Sequence, residues 1–282
     1  MIINSKYSSL YLGEEKFWKA FFDRDVCFVQ TFASGDEIRV QFRGYSENST
    51  AKYKNQNGTE TNLTVNMLYS DSITGLKLFE AAFTIHAIGE YKFTLTNGTE
   101  SVLSFFSVKT QAELINTVLL NYTHRRNEYD TIFVQENGVR KTFNFRIEGG
   151  LYPGDKTQAV ENETFRDQRF NPFQTASEVY QISILTIGTG KGVPQWVGNK
   201  INHIFNLSNI LIDGISTARN ESSVPDMIQV AGYHPLYVFK LNIEQSDDDI
   251  ILGSQKTDVF YLTDNSGNMI VTNSGDNITV YH

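Results

Sequence analysis

Residues Thr186 to Trp196 read TIGTGKGVPQW. Before them, QISILTIG (181–188) alternates as a strand does. After them, PQWVGNKINHIFNLSN (194–209) has helical spacing. Strand, glycine-rich turn and helix is the setting in which backbone N–H groups cradle a phosphate. The residues then depart from that pattern. A phosphate loop needs glycine five positions before the glycine of its Gly-Lys pair, and Ser or Thr after the lysine. Leu185 and Gly192 stand at those places. Gly188, Gly190 and Gly192 recur every second residue, which also breaks the dinucleotide fingerprint. The stretch therefore reads as a structural turn at Gly188, Gly190 and Gly192, with positive φ, an exposed Lys191, and the following helix braced against it. Pro194 suits that helix's first turn, and Val197, Ile201, Ile204 and Phe205 give it one apolar face.

No run of βαβ units surrounds this turn, and strands dominate. EIRVQFRGY (37–45) places Ile38, Val40 and Phe42 on one face and charged or amide groups on the other, the pattern of a half-buried strand. LFEAAFTIHAI (78–88), EYKFTLTNG (90–98) and SVLSFFSVKT (101–110) are further strands. Asn57-Gly58 and Asn97-Gly98 mark hairpin turns. This density of antiparallel strands predicts an immunoglobulin-like β-sandwich over residues 1–110. QAELINTVLLNYTH (111–124) reads as a short helix or linking strand. The body over 111–282 is β-rich: a hairpin from YDTIFV (129–134) and VRKTFNFRIEGG (139–150), a long loop over 149–175, one helix near 194–208, a strand NILIDGIS (209–216), another in YHPLYVFKLNIE (233–244), and a C-terminal β-meander. The fold class expected is mainly β.

Chemistry is sparse. The five histidines, at 86, 124, 203, 234 and 282, form no metal-binding spacing. The only cysteine, Cys27, excludes an intrachain disulfide and reads as a buried thiol. Asp247-Asp248-Asp249 lacks the spaced oxygens and glycine of a calcium loop. No G-x-S-x-G elbow is present, and nothing in the sequence singles out a pair of carboxylates for glycoside hydrolysis. No catalytic residue, cofactor or metal is expected. The net charge of −8 and the lack of a basic cluster exclude a general nucleic-acid binder. No apolar run is long enough to cross a membrane as a helix, and the N-terminus does not read as a secretion signal. The densest cationic spot is His124-Arg125-Arg126, and the long loop adds Arg166 and Arg169. Arg125, Arg126, Arg166, Arg169 and Lys191 are the candidate partner contacts, since guanidinium groups suit carboxylate docking. Trp18, Tyr53, Tyr69, Trp196 and Tyr233 are candidates for a sugar platform.

Five phrases, RRNEYDTIF (125–133), FNFRIEGG (143–150), LTIGTGKGVPQWVGNKINHI (185–204), NILIDGIS (209–216) and YHPLYVFKL (233–241), together resemble tail-region structural proteins of phages of gut Bacteroidetes, including crAss-like phages. The resemblance spans roughly residues 20–245. It implies a non-enzymatic virion component, made in the bacterial cytoplasm, that forms a ring or collar with copies of itself and other tail or connector proteins. It brings no catalytic residues. A carbohydrate-binding, host-adhesion module is the alternative, because such modules are also β-rich and aromatic.

Overall fold

A computed structural model of the chain describes residues 2–3, 6–13, 28–128, 130–135, 137–166, 169–190, 192–220, 223–230, 236–246, 260–261 and 279–280. The protein is mainly β, with one α-helix among the described residues.

Two sheets face each other across the first core. One holds β1 (Ile2–Ile3), β3 (Glu37–Gly44), β7 (Lys77–Thr84) and β6 (Val65–Ser70), in the order β1-β3-β7-β6. The other holds β2 (Gln30–Ala33), β9 (Glu100–Lys109), β8 (Gly89–Asn97), β4 (Ser49–Asn55) and β5 (Glu60–Leu63), in the order β2-β9-β8-β4-β5. Every ladder is antiparallel except β2 with β9. The alternation legible in the sequence sends Ile38, Val40 and Phe42 from one sheet, and Phe93, Leu95 and Phe106 from the other, into a shared core. Phe83 and Phe93 stack across it at 5.5 Å. Burying each such side chain contributes about 1.5–3 kcal/mol. Asn57-Gly58 makes the expected turn between β4 and β5, with Gly58 at φ 87.

The reading of β3 as half-buried needs correction. Gln41, on its polar face, is fully buried, because the 130–141 segment lies over that face. Its carboxamide donates to Glu80 and to the Ile132 carbonyl, and accepts from the Ile132 N–H.

A 3-10 turn, Gln111–Leu114, leads into the second lobe. There β10 (Thr117–Thr123), β11 (Phe143–Arg166), β12 (Pro172–Ile187), β14 (Asn209–Ile212), β15 (Ile215–Arg219) and β17 (Leu236–Ser246) pair in the order β12-β11-β10-β14-β15-β17. A further β12–β17 ladder closes these six strands into a barrel. β13 (Val193–Pro194) and β16 (Asp226–Gln229) attach to β17. Inward side chains from the barrel strands, among them Leu120, Phe145, Leu185, Ile212 and Leu241, share one core with Val197, Ile201 and Ile204 of helix α1 (Gln195–Ile204). The helix lies tight on the wall: a Cβ on Gly198 would come within 2.2 Å of the Phe239 ring.

The N-terminal segment straps the lobes together. Tyr7 enters the barrel core, while Leu10 and Leu12 enter the sandwich core. Tyr122 Oη donates to the Tyr7 carbonyl at 2.6 Å, and Lys200 Nζ of α1 donates to the Ser8 carbonyl.

Three further expectations are overturned. Residues 130–134 form no strand; Asn127 holds them as a loop by accepting from the Phe133 and Val134 N–H groups, and of the expected hairpin only the Val134↔Arg140 bridge and the bonds from Gln135 N–H to the Val139 carbonyl and from Lys141 N–H to the Phe133 carbonyl form. NILIDGIS is a hairpin, β14 and β15 turning at Asp213-Gly214, rather than one strand. The long loop expected over 149–175 is mostly ladder, as described below. The chain divides into two compact units, Met1–Ser246 and Asp247–His282. In the second, β18 (Phe260–Tyr261) pairs antiparallel with β19 (Thr279–Val280). The rest of the expected meander, Cys27, Trp18, Tyr233, His234, Asp247-Asp248-Asp249 and His282 lie outside the described residues.

Candidate functional site

The feature that the core does not account for is a long arm. β11 has 24 residues and β12 has 16, and they pair from Gly149↔Ile187 out to Arg166↔Pro172. Support from neighbours runs out first. β10 accompanies β11 only from Phe143 to Glu148, and β17 accompanies β12 only as far as Tyr180. Beyond Ala159↔Tyr180 the hairpin is a ribbon of two strands with no third strand among the described residues. A lone two-stranded ribbon is marginally stable in water, because neither of its faces is covered.

Its surface is unusual for a solvated ribbon. Val160 and Val179 are cross-strand partners and both are exposed, as are Phe165 and Phe170. Phe170, in the turn at the tip, is 79% exposed and sits at φ 64. The left-handed region is sterically costly for a bulky L-residue, and Gly or Asn is its ordinary occupant. A strained, exposed phenylalanine at the end of an arm is a cost that folding alone does not explain.

The sequence-derived contacts separate into groups. Arg166 ends β11 and Arg169 lies in the turn that follows, so both are at the arm tip, exposed. Arg125 and Arg126 follow β10. Arg126 is 65% exposed and faces Glu128 at 3.2 Å, while the Arg125 backbone N–H donates to Ser208 Oγ. His124 accepts from the Ser208 N–H through Nδ1, which turns Nε2 toward Glu128 at 3.4 Å. These contacts brace the turn after β10. Lys191 lies outside the described residues. Gly188 and Gly192 adopt φ 81 and 85, but Gly190 does not share the expected positive φ, and a Cβ on Gly188 would meet the Tyr237 carbonyl at 2.7 Å. The glycine-rich stretch is thus the tight link from β12 to β13 and α1.

The aromatic candidates do not assemble into a platform. Tyr53 packs on Phe83 and Tyr91, and Trp196 stacks on Tyr11 at 4.3 Å. Tyr69 is exposed beside a cleft of about 440 Å³ at the seam of the lobes, near Arg43, Asn127 and Asp130. Among the described residues no group of His, Cys, Asp and Glu is placed to hold a metal, and no helix is long and apolar enough to cross a membrane.

Sequence reasoning missed Phe170, Val160 and Val179. The available signals were the Asn171-Pro172 pair, which marks a turn, and the Thr, Val and Phe residues of the flanking polar runs. Comparison with models of known protein families and with curated proteins finds no match.

Proposed function

We propose that the chain is a non-enzymatic structural subunit of a phage virion, in the tail or collar region, where it assembles into a ring with copies of itself and meets other tail or connector proteins. The arm carries this reading. A two-stranded ribbon with exposed valines and phenylalanines gains stability only against another surface. A projecting arm that docks on a different face of the next copy makes a heterologous interface, and such interfaces close into rings when the rotation allows. The resemblance of five phrases to phage tail-region proteins points the same way. No cofactor, nucleic acid or membrane enters it. We also read the sandwich as an immunoglobulin-like domain; what supports this is the strand order β1-β3-β7-β6 facing β2-β9-β8-β4-β5, which follows the A-B-E-D and G-F-C pattern with added edge strands.

The test compares the natural chain with one in which residues 158–180 are replaced by a short Gly-Asn-Gly turn. Light scattering and negative-stain electron microscopy should show rings or oligomers that the shortened chain does not form. Mass spectrometry should find the protein in purified particles. A natural chain that stays monomeric at high concentration and never appears in particles ends the proposal.

The alternative is glycan adhesion, favoured by one observation: Tyr69, exposed beside the seam cleft. Binding on a glycan array that is lost in Tyr69→Ala would establish it.

A further inference from the structure

The barrel has an open mouth on the side from which the arm departs. Where β11 leaves β10, at Gly149-Gly150, the wall parts and leaves a pocket of about 400 Å³. Ile115, Leu151, Ile212 and Ile215 form much of its lining, with Lys156, Asp213 and Gln245 also facing it. Ile115 is 83% exposed and Ile215 43%, so an apolar rim stands open to water. Gln245 pairs in register with Gln181 on the inward face of β12 and β17.

We infer that this mouth is the receptor for the arm tip of a second copy of the chain, with Phe170 as the anchor. The inference rests on the assembly reading above and names the partner surface of the arm. Size, chemistry and reach support it. A cavity of ~150 Å³ suffices for a benzene ring, so the mouth holds a phenylalanine side chain with room for part of a neighbour. Lys156 and Asp213 carry opposite charges, and Ile115, Leu151, Ile212 and Ile215 give one apolar side to a lining that also holds Asn116 and Thr117, which suits an apolar head flanked by polar groups. The arm cannot serve its own mouth: ten ladder steps separate Lys156↔Ser183 from Arg166↔Pro172, which puts the tip roughly 30 Å away. Knob and socket therefore belong to different copies, and each copy offers one of each. That is a heterologous interface, which closes into a ring when the rotation allows.

The strain at Phe170 makes the test clean. Phe170→Asn places at φ 64 a residue that tolerates it, so the monomer keeps or gains stability while self-association measured by analytical ultracentrifugation weakens at least tenfold. Ile215→Glu, on the socket rim, weakens it to a similar extent, with circular dichroism confirming the fold. In a Cys27→Ser background, chains carrying Phe170→Cys mixed with chains carrying Ile215→Cys oxidise to a crosslinked pair, and neither does so alone. If Phe170→Asn associates as tightly as the natural chain, the anchor assignment fails. If deleting the arm abolishes association but Ile215→Glu does not and no crosslink forms, the mouth is not the socket, although the assembly reading stands. Association unchanged by arm deletion overturns both.

Discussion

Glu80 and Lys141 form an ion pair at 2.5 Å with both side chains shut away from water, Glu80 on β7 of the sandwich and Lys141 just before β11 of the barrel. Arg39 joins them at 2.9 Å from Glu80, and Gln41 donates to the same carboxylate. The network ties the lobes through a single acidic group serving two cations. Its members are therefore unequal. Glu80→Leu leaves Lys141 buried without an acidic partner and Arg39 with Glu37 alone, and is expected to cost about 3–5 kcal/mol. Lys141→Met leaves Glu80 with Arg39 and costs less, about 1.5–3 kcal/mol, the worth of one hydrogen bond to a charged group. Denaturant unfolding of both variants and of the double variant checks the order; equal losses would show that the network does not centre on Glu80.

The same carboxylate sets an acid limit. Burial raises the Glu80 pKa, but hydrogen bonds from Lys141 and Gln41 and the charge of Arg39 outweigh it, and the result lies below the ordinary 4.5. A depressed carboxylate contributes stability that is complete above its unfolded value and is lost as pH falls through the folded one. Unfolding free energy is therefore expected to fall as pH drops below about 4.5, and Glu80→Gln should flatten that fall. A variant whose acid profile parallels that of the natural chain would rule this out.

Lys200 gives the opposite end of the pH scale. Burial lowers its amine from 10.5 to about 7, with the Ser8 carbonyl and the Phe145 ring, 5.0 Å from Nζ, beside it. Between those two values the unfolded chain binds the proton and the folded chain does not. Stability should rise with pH across that window, by about 1.4 kcal/mol per unit at most, and decline as pH falls toward 7. Melting curves from pH 7 to 10 check the slope, which Lys200→Met should remove. A natural chain with no rise over this range refutes the assignment.

Gly198 offers a packing test. Alanine in a helix interior ordinarily gains about 1 kcal/mol over glycine. Here the new Cβ would lie 2.2 Å from the Phe239 ring, so α1 must lift from the barrel wall. Gly198→Ala is expected to destabilise by about 1–3 kcal/mol, and Phe239→Leu should partly restore the loss in the double variant. A stabilised Gly198→Ala protein would mean that the helix has room to move.

Much of the fold was legible because it obeys local rules. The two-residue alternation of β3, β8 and β9, the Asn57-Gly58 and Asn97-Gly98 turns, and the spacing of Val197, Ile201 and Ile204 each point to one element. Failure followed where the covering surface comes from far along the chain. Gln41 looks solvent-facing, yet residues 130–141 bury it. The arm looks like a loop because most of its residues between Lys156 and Arg166 are polar, and a ribbon wet on both sides needs no apolar stripe. Asp213-Gly214 was a hairpin signal inside a run that otherwise reads as one strand.

Residues within a few positions of one another make this chain mainly β, set where several turns fall, place one helix after the glycine-rich link, and leave that link without the residues of a phosphate-loop motif. The closing of six strands into a barrel, the meeting of Glu80 with Lys141 across the lobes, and the strained Phe170 at an arm tip while Ile115 and Ile215 rim an open mouth emerge from the three-dimensional fold alone. Those relations join residues tens of positions apart, and local periodicity carries no information about which distant surfaces meet or fail to meet.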